Sequence, residues 1–269
     1  MIPAQFSYRR ASSVDEALRL LGEYGEDAKV LAGGHSLLPL MKLRLAAPEV
    51  LVDVAPIDEL RYVRVAGDTV VIGALSRYHD LQHDEVLRRY APLVAHVAGE
   101  VGDLQVRHRG TIGGSLAHAD AAADLPAAIL ASDGELVVRG PQGERRILAA
   151  EFFLGPFTTP LEPDELVSEI RVPARPGVGW GFEKFTRRAI DWAIVGVAVV
   201  GGAVGLINMG ATPLRATATE EALASGASVA EAAALASEGT SPVSEPHATA
   251  EYRAHVARVL TARALAKAA

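Results

Sequence analysis

Lys29-Val-Leu-Ala-Gly-Gly-His-Ser-Leu-Leu-Pro-Leu-Met-Lys-Leu-Arg-Leu45, with Val50-Leu-Val-Asp53 after it, runs apolar strand, small-residue turn, apolar-periodic helix, second strand. Val30 to Ala32 reads as a buried strand and Leu37 to about Leu45 as a helix, with Ser36 where an N-cap belongs. Two glycines between strand and helix let the backbone come close to a ligand, and their freedom at positive φ lets successive N–H groups point one way. The helix adds unpaired amides and a positive dipole end, so the turn suits a phosphate. An ordinary glycine turn before a helix has the same appearance.

A second segment repeats the device. Arg109-Gly-Thr-Ile-Gly-Gly-Ser115 places Gly113-Gly114-Ser115 as another small-residue turn, with the Thr111 hydroxyl beside it. Asp120 and Asp124 follow, and Asp124-Leu-Pro126 reads as a helix start with proline in the first turn. Two such loops in one chain suggest a diphosphate held between them.

Outward from these loops, Ser13 with Glu16 signals a capped helix before the first strand, and residues 1–56 form a small unit of strands and helices. Arg61–Val65 and Thr69–Gly73 read as a hairpin; a short helix begins near Ser76 and a longer one runs from Glu85 to about Val97. Gly134–Arg139 with Glu144–Leu148 is another hairpin, and Leu166–Val172 a strand ended by Pro173. Pro173-Ala-Arg-Pro-Gly-Val-Gly179 is the clearest linker. Beyond it, Trp180–Arg187, Ala193–Val200 and Val204–Asn208 read as three antiparallel strands, and 216–225, 228–238 and about 247–268 as helices. The expected domains are therefore 1–173, subdivided near 56, and 178–269.

Composition narrows the function. Hydrophobic residues at 49% and charged residues at 22% are those of a globular protein. A net charge of −7 without a basic block argues against non-specific nucleic-acid binding. No apolar run reaches the roughly 18–20 residues that span a bilayer, and the N-terminus lacks a signal-peptide pattern, so a cytoplasmic protein is expected. With no cysteine, the chain holds no disulfide, thiol nucleophile or cysteine-ligated iron–sulfur cluster. His79 and His83 lie four apart with Asp80 and Asp84 beside them, but without a third clustered ligand they read as a solvated helix face, and no metal site is expected. Neither glycine loop has the Rossmann Gly-x-Gly-x-x-Gly, and there is no P-loop and no Gly-x-Ser-x-Gly elbow. Gly201-Gly202 reads as a strand turn.

Ala32-Gly33-Gly34-His35-Ser36 and Thr111-Ile112-Gly113-Gly114-Ser115 resemble the two FAD-diphosphate loops of the flavoprotein (medium) subunits of molybdenum hydroxylases, the xanthine dehydrogenase family, and most nearly those of aerobic carbon monoxide dehydrogenases. The resemblance continues in order through Phe152–Gly155, Glu165–Pro173, Lys184-Phe185, Asp191–Ala198 and Asn208–Arg215, nearly the whole chain. It implies an α+β fold: a two-part FAD-binding domain of PCMH type, then a small antiparallel sheet with helices of the carbon monoxide dehydrogenase flavoprotein C-terminal type. FAD would lie between the halves of the first domain, its diphosphate on the backbone of residues 32–36 and 111–115, with Leu37 also among the cofactor-binding residues.

His35 then has two roles open to it, phosphate donor or packing residue. Asp124 resembles an acidic position that contacts the flavin nucleotide, with helix capping as its alternative. Lys184 resembles a lysine near the isoalloxazine ring, with a solvated strand-edge lysine as the alternative. Trp192 departs from the family, which commonly has tyrosine over one flavin face; it keeps an aromatic surface but lacks the phenol. The implied partners are a small iron–sulfur subunit and a large molybdopterin subunit, in a dimer of heterotrimers. This chain would pass electrons through FAD to an external acceptor. A purine, N-heterocycle or aldehyde hydroxylase subunit, or a stand-alone flavin oxidase, are the alternatives.

Overall fold

The computed structural model describes residues 2–269. The N-terminal unit forms as its pattern requires. β1 (Ser7–Arg10), β2 (Ala28–Leu31) and β3 (Val50–Asp53) make a parallel sheet in the order β1-β3-β2, crossed by α1 (Val14–Tyr24) and α2 (Leu37–Leu43). Val14, Ala17, Leu20 and Leu21 on one stripe of α1 meet Val50, Val52 and Val54 in a core of their own. The Ser13 hydroxyl accepts from the Glu16 amide, while the Glu16 carboxylate turns back to Ser12, so half of the expected capping box is made. Burial matters little to this exposed carboxylate: hydrogen bonds from the Ser12 hydroxyl and amide hold its pKa below the ordinary value.

The middle of the chain builds a five-stranded antiparallel sheet ordered β4-β5-β8-β6-β7, from β4 (Val63–Ala66), β5 (Thr69–Gly73), β6 (Glu135–Gly140), β7 (Gly143–Leu148) and β8 (Leu166–Pro173). Between β5 and β6 lie α3 (Tyr78–His83), α4 (Glu85–Tyr90), α5 (Pro92–Glu100), α6 (Leu104–Arg109), α7 (Ile112–His118) and α8 (Asp124–Ala131), and α9 (Ala149–Phe152) follows β7. The single helix expected from Glu85 to Val97 is two, because Pro92 has neither an N–H to donate nor room for the preceding turn and instead occupies the first position of α5. All eight residues of α8 are buried, as befits a helix apolar on every side except at Asp124.

Past the linker, four strands rather than three form the last sheet, in the order β12-β11-β10-β9: β9 (Trp180–Phe185), β10 (Val195–Val200), β11 (Ala203–Ile207) and β12 (Leu214–Arg215). β12 is two residues long, too short for any alternation to announce it. Gly201 (φ 57°) and Gly202 (φ 88°) are the two central residues of the β10–β11 hairpin, both left-handed, which settles them as a strand turn. α10 (Thr217–Ala224), α11 (Val229–Ala234) and α12 (Ala250–Ala268) complete the chain.

Alternation along this sheet divides its burial between two cores. Val195, Val197 and Val199 of β10 pack with Ala257, Leu260 and Ala264 of α12. Ala198 and Val200 face the other way, into the core that contains α5 and α8. The linker is exposed only at Pro176 and Gly177; Ala174 and Val178 pack against the core that the flanking elements share. β11 comes so near α8 that a Cβ on Gly205 would lie 2.2 Å from the Ala127 carbonyl oxygen. No helix among the described residues is long and apolar enough to cross a membrane.

Candidate functional site

The two glycine segments, 76 residues apart in sequence, meet directly. A Cβ on Gly33 would lie 2.3 Å from the Arg109 carbonyl oxygen and 2.9 Å from the Gly110 Cα, so only glycine lets the backbones touch. In the first loop Gly34 is left-handed (φ 76°) and leads through a turn at His35-Ser36 into α2. The Gly34 and Ser36 carbonyls accept from Leu38 and Leu40. Among the described residues, the amides of Gly33, Gly34, His35 and Ser36 donate to no protein acceptor. That is the donor set expected of an anion cradle.

Ser36 does precede the helix but does not cap it. Its backbone is already helical (φ −103°, ψ −53°), so the hydroxyl cannot turn back to the first-turn amides and is left free. His35 is exposed, its Nδ1 3.2 Å from the Gly33 carbonyl oxygen, leaving Nε2 outward. Leu37 opens α2.

The second segment differs from the expectation of a turn. Thr111 caps α7, its Oγ accepting from the Gly114 amide at 3.2 Å, and Ile112, Gly113, Gly114 and Ser115 are the first turns of that helix. Its amides are spent: Ile112 N donates to Ser76 O, Gly113 N to Ala74 O and Ser115 N to Thr111 O. Gly113 is glycine because a Cβ there would meet the Ala74 Cβ at 2.6 Å. This segment therefore offers hydroxyls and close approach rather than free N–H groups. Thr111→Ala is expected to cost about 1 kcal/mol through the lost cap, with Thr111→Ser restoring it; urea denaturation of the two variants measures the difference.

Asp124 and Lys184 come together from opposite sides of the linker. Lys184 Nζ donates to Asp124 Oδ2 at 2.7 Å and to the Glu100 carbonyl oxygen at 3.1 Å, with the two side chains 8% and 6% exposed. Both simpler readings fall here. Asp124 caps nothing, since it is the first residue inside α8, and Lys184 is on an edge strand yet buried. Asp124 Oδ1 is buried without a partner. Burial pushes the Asp124 pKa up to about 6, against the opposing pull of Lys184. Tyr78 lies beside this pair, its ring filling the space above Gly110; burial raises its pKa to about 12, opposed by a hydrogen bond from the Ser115 hydroxyl.

Trp192 is not brought into this cluster's interior: it is 60% exposed on the 186–194 loop between β9 and β10. That loop is held at its base. The buried Arg253 of α12 donates to the Ile194 carbonyl and pairs with Glu245, and Asn208 Nδ2 donates to Ala193 O at 2.8 Å. His79 and His83 lie with their rings 4.7 Å apart, His79 also stacking on His108 at 4.1 Å; no metal-holding cluster occurs among the described residues.

Three residues at the seam carried no signal in the sequence. Arg61, Arg77 and Arg109 surround, with Ala32, Ala55, Leu75 and Thr111, a small cavity of about 10 Å³ between the two segments. Arg77 forms a bridge with Thr111, and Arg61 Nε is buried without a partner.

Free amides at a left-handed glycine, hydroxyls at Ser36, Thr111 and Ser115, and basic side chains at the seam together fit a dinucleotide diphosphate, while the unpaired Asp124 Oδ1 could accept from an N–H or hydroxyl of the nucleotide. They define a dinucleotide-binding protein. The chain belongs to the family described as the FAD binding domain in molybdopterin dehydrogenase, which matches residues 4–175; residues 180–268 match the CO dehydrogenase flavoprotein C-terminal domain. It is thus an FAD-binding oxidoreductase subunit.

The chain is 43% identical to the carbon monoxide dehydrogenase medium chain of Hydrogenophaga pseudoflava, over 98% of this chain and 97% of that one. It is 39% identical to the 6-hydroxypseudooxynicotine dehydrogenase complex subunit alpha of Paenarthrobacter nicotinovorans, over 100% of this chain and 96% of that one. The solved carbon monoxide dehydrogenase of H. pseudoflava lacking the Mo-pyranopterin moiety superimposes with a TM-score of 0.95 at 44% identity, covering 100% of this chain and 98% of that chain.

Proposed function

We propose that this flavoprotein subunit serves an aerobic carbon monoxide dehydrogenase. In that assembly a small iron–sulfur subunit delivers electrons and a large molybdopterin subunit performs the substrate chemistry, as a cytoplasmic dimer of heterotrimers. The observation that carries the reading is the seam, where a loop of unspent amides at 33–36 lies against a hydroxyl-lined helix start at 111–115. The absence of cysteine supports the division of labour, since the clusters must then sit on another chain. The full-length likeness to a carbon monoxide dehydrogenase medium chain supports the substrate.

FAD, when bound, supplies the redox capacity that links one-electron donors to an external acceptor. The chain's own residues bind and orient it. The 33–36 amides, with the Ser36, Thr111 and Ser115 hydroxyls, hold the diphosphate; Ala32, Leu37, Ile112, Gly113 and Gly114 shape the walls. His35 presents Nε2 to the same face. Lys184, anchored by Asp124, sets a cation in the buried interior, and Trp192 offers an aromatic face free to stack. On this reading residues 1–173 and 178–269 are the cofactor and C-terminal domains.

An absorption spectrum of the complex co-purified with this chain tests the reading. Flavin and iron–sulfur bands, with carbon monoxide oxidation, are expected. A colourless chain without flavin affinity overturns the cofactor site, and turnover of an N-heterocycle but not carbon monoxide overturns the substrate.

A further inference from the structure

We propose that Arg77 and Arg109 are the counter-charge of the cofactor diphosphate, and so select a flavin that carries a nucleoside diphosphate over one that does not. The inference rests on the FAD reading above. The 33–36 cradle supplies amides but no full charge, and the 111–115 segment has spent its amides internally. Holding an FAD diphosphate in a protein of net charge −7 calls for local cations.

Arg77 and Arg109 stand where that need arises. Arg109 has its carbonyl against Gly33, and Arg77 pairs its backbone with Thr111, so each is anchored on the seam itself. Both residues line the same small cavity. Arg61, the third arginine there, is held by Asp58 at 2.7 Å and by the Ala55 carbonyl. Neither Arg77 nor Arg109 has a carboxylate within ion-pair distance among the described residues, although most arginines of this chain do. At about 10 Å³ the cavity has room for one water only, so a diphosphate held by these arginines would sit outside it, on the exposed side of the seam. Their planar forks suit two adjacent phosphates better than a lysine would.

The test is titration of the full-length, flavin-free chain with FAD, ADP and riboflavin by calorimetry. Arg77→Gln and Arg109→Gln are each expected to weaken FAD and ADP about tenfold and to leave riboflavin unchanged. Raising the salt should shrink the difference between wild type and variant. Arg77→Lys, which keeps charge but loses the fork, is expected to fall between and serves if the glutamine variant fails to fold. Arg19→Gln, on the exposed α1 pair with Glu23, should bind as wild type. Unchanged FAD affinity in both glutamine variants, or an equal loss for riboflavin, overturns the proposal. A wild-type chain that binds riboflavin but neither FAD nor ADP overturns it too, and one that takes up no flavin at all overturns the FAD reading itself.

Discussion

Replacing Lys184 by Met is expected to destabilise the flavin-free chain by about 1–3 kcal/mol at pH 7, because it strands the Asp124 carboxylate, already disfavoured by burial, without its cation. Asp124→Asn should cost less, because burial already disfavours the Asp124 charge and the amide oxygen can still accept from Lys184 Nζ. The double variant Asp124→Leu with Lys184→Met removes both charges together and should recover most of the loss. Chemical denaturation of all four chains measures this cycle. Losses in the single variants that add in the double would show that the two side chains are not coupled. The same double variant separates stability from function: on our reading it folds but holds FAD with altered affinity and spectrum, since Asp124 Oδ1 is buried without any protein partner.

The pH dependence of this pair has a definite sign. The folded pKa of Asp124, about 6, lies above its ordinary value of 3.8, chiefly because burial disfavours the carboxylate. Between those values the folded chain binds more protons than the unfolded one. Its contribution to stability is therefore fully present below pH 3.8 and is lost as pH rises through about 6. A wild-type profile that rises across that window relative to Asp124→Asn would contradict the assignment.

Gly33→Ala is expected to have the largest effect on the cofactor site for the smallest chemical change. The added Cβ would sit 2.3 Å from Arg109 O, 3.0 Å from Arg109 C and 2.9 Å from Gly110 Cα, all backbone atoms that no rotamer change can move aside. Either the loops part or the local backbone strains, at about 1–3 kcal/mol of stability. Parting the loops separates the 33–36 amides from the Thr111 and Ser115 hydroxyls, and FAD affinity should fall about a hundredfold, or ~3 kcal/mol. Gly22→Ala is the control. It lies in α1 with nothing within 4 Å of an added Cβ, and should raise stability by about 0.5–1 kcal/mol with FAD binding unchanged. Equal FAD affinity in Gly33→Ala and wild type would mean that loop contact is not what holds the cofactor.

Local chemistry alone made much of this chain legible. The alternating strands at 63–73 and 135–148 and the Gly201-Gly202 turn each depend on neighbours in sequence, and each is found in the structure. The misjudged elements are those where a longer-range fact prevailed. Gly113-Gly114-Ser115 is helix, not turn, because Thr111 caps it and Ala74 leaves room only for a glycine. Ser36 stands at a helix start without capping it, because the chain enters already helical.

What the sequence by itself determined is the course of most strands and helices, the first glycine loop and the exclusion of cysteine-ligated clusters and thiols. Only the tertiary structure decided that the two glycine segments touch, that Arg77 and Arg109 stand at their seam, and that Asp124 and Lys184 close on each other across the linker. The reason is physical: periodicity and turn chemistry act over a few residues, whereas a backbone contact across 76 residues or an ion pair across 60 exists only once three sheets and their shared cores have placed the partners.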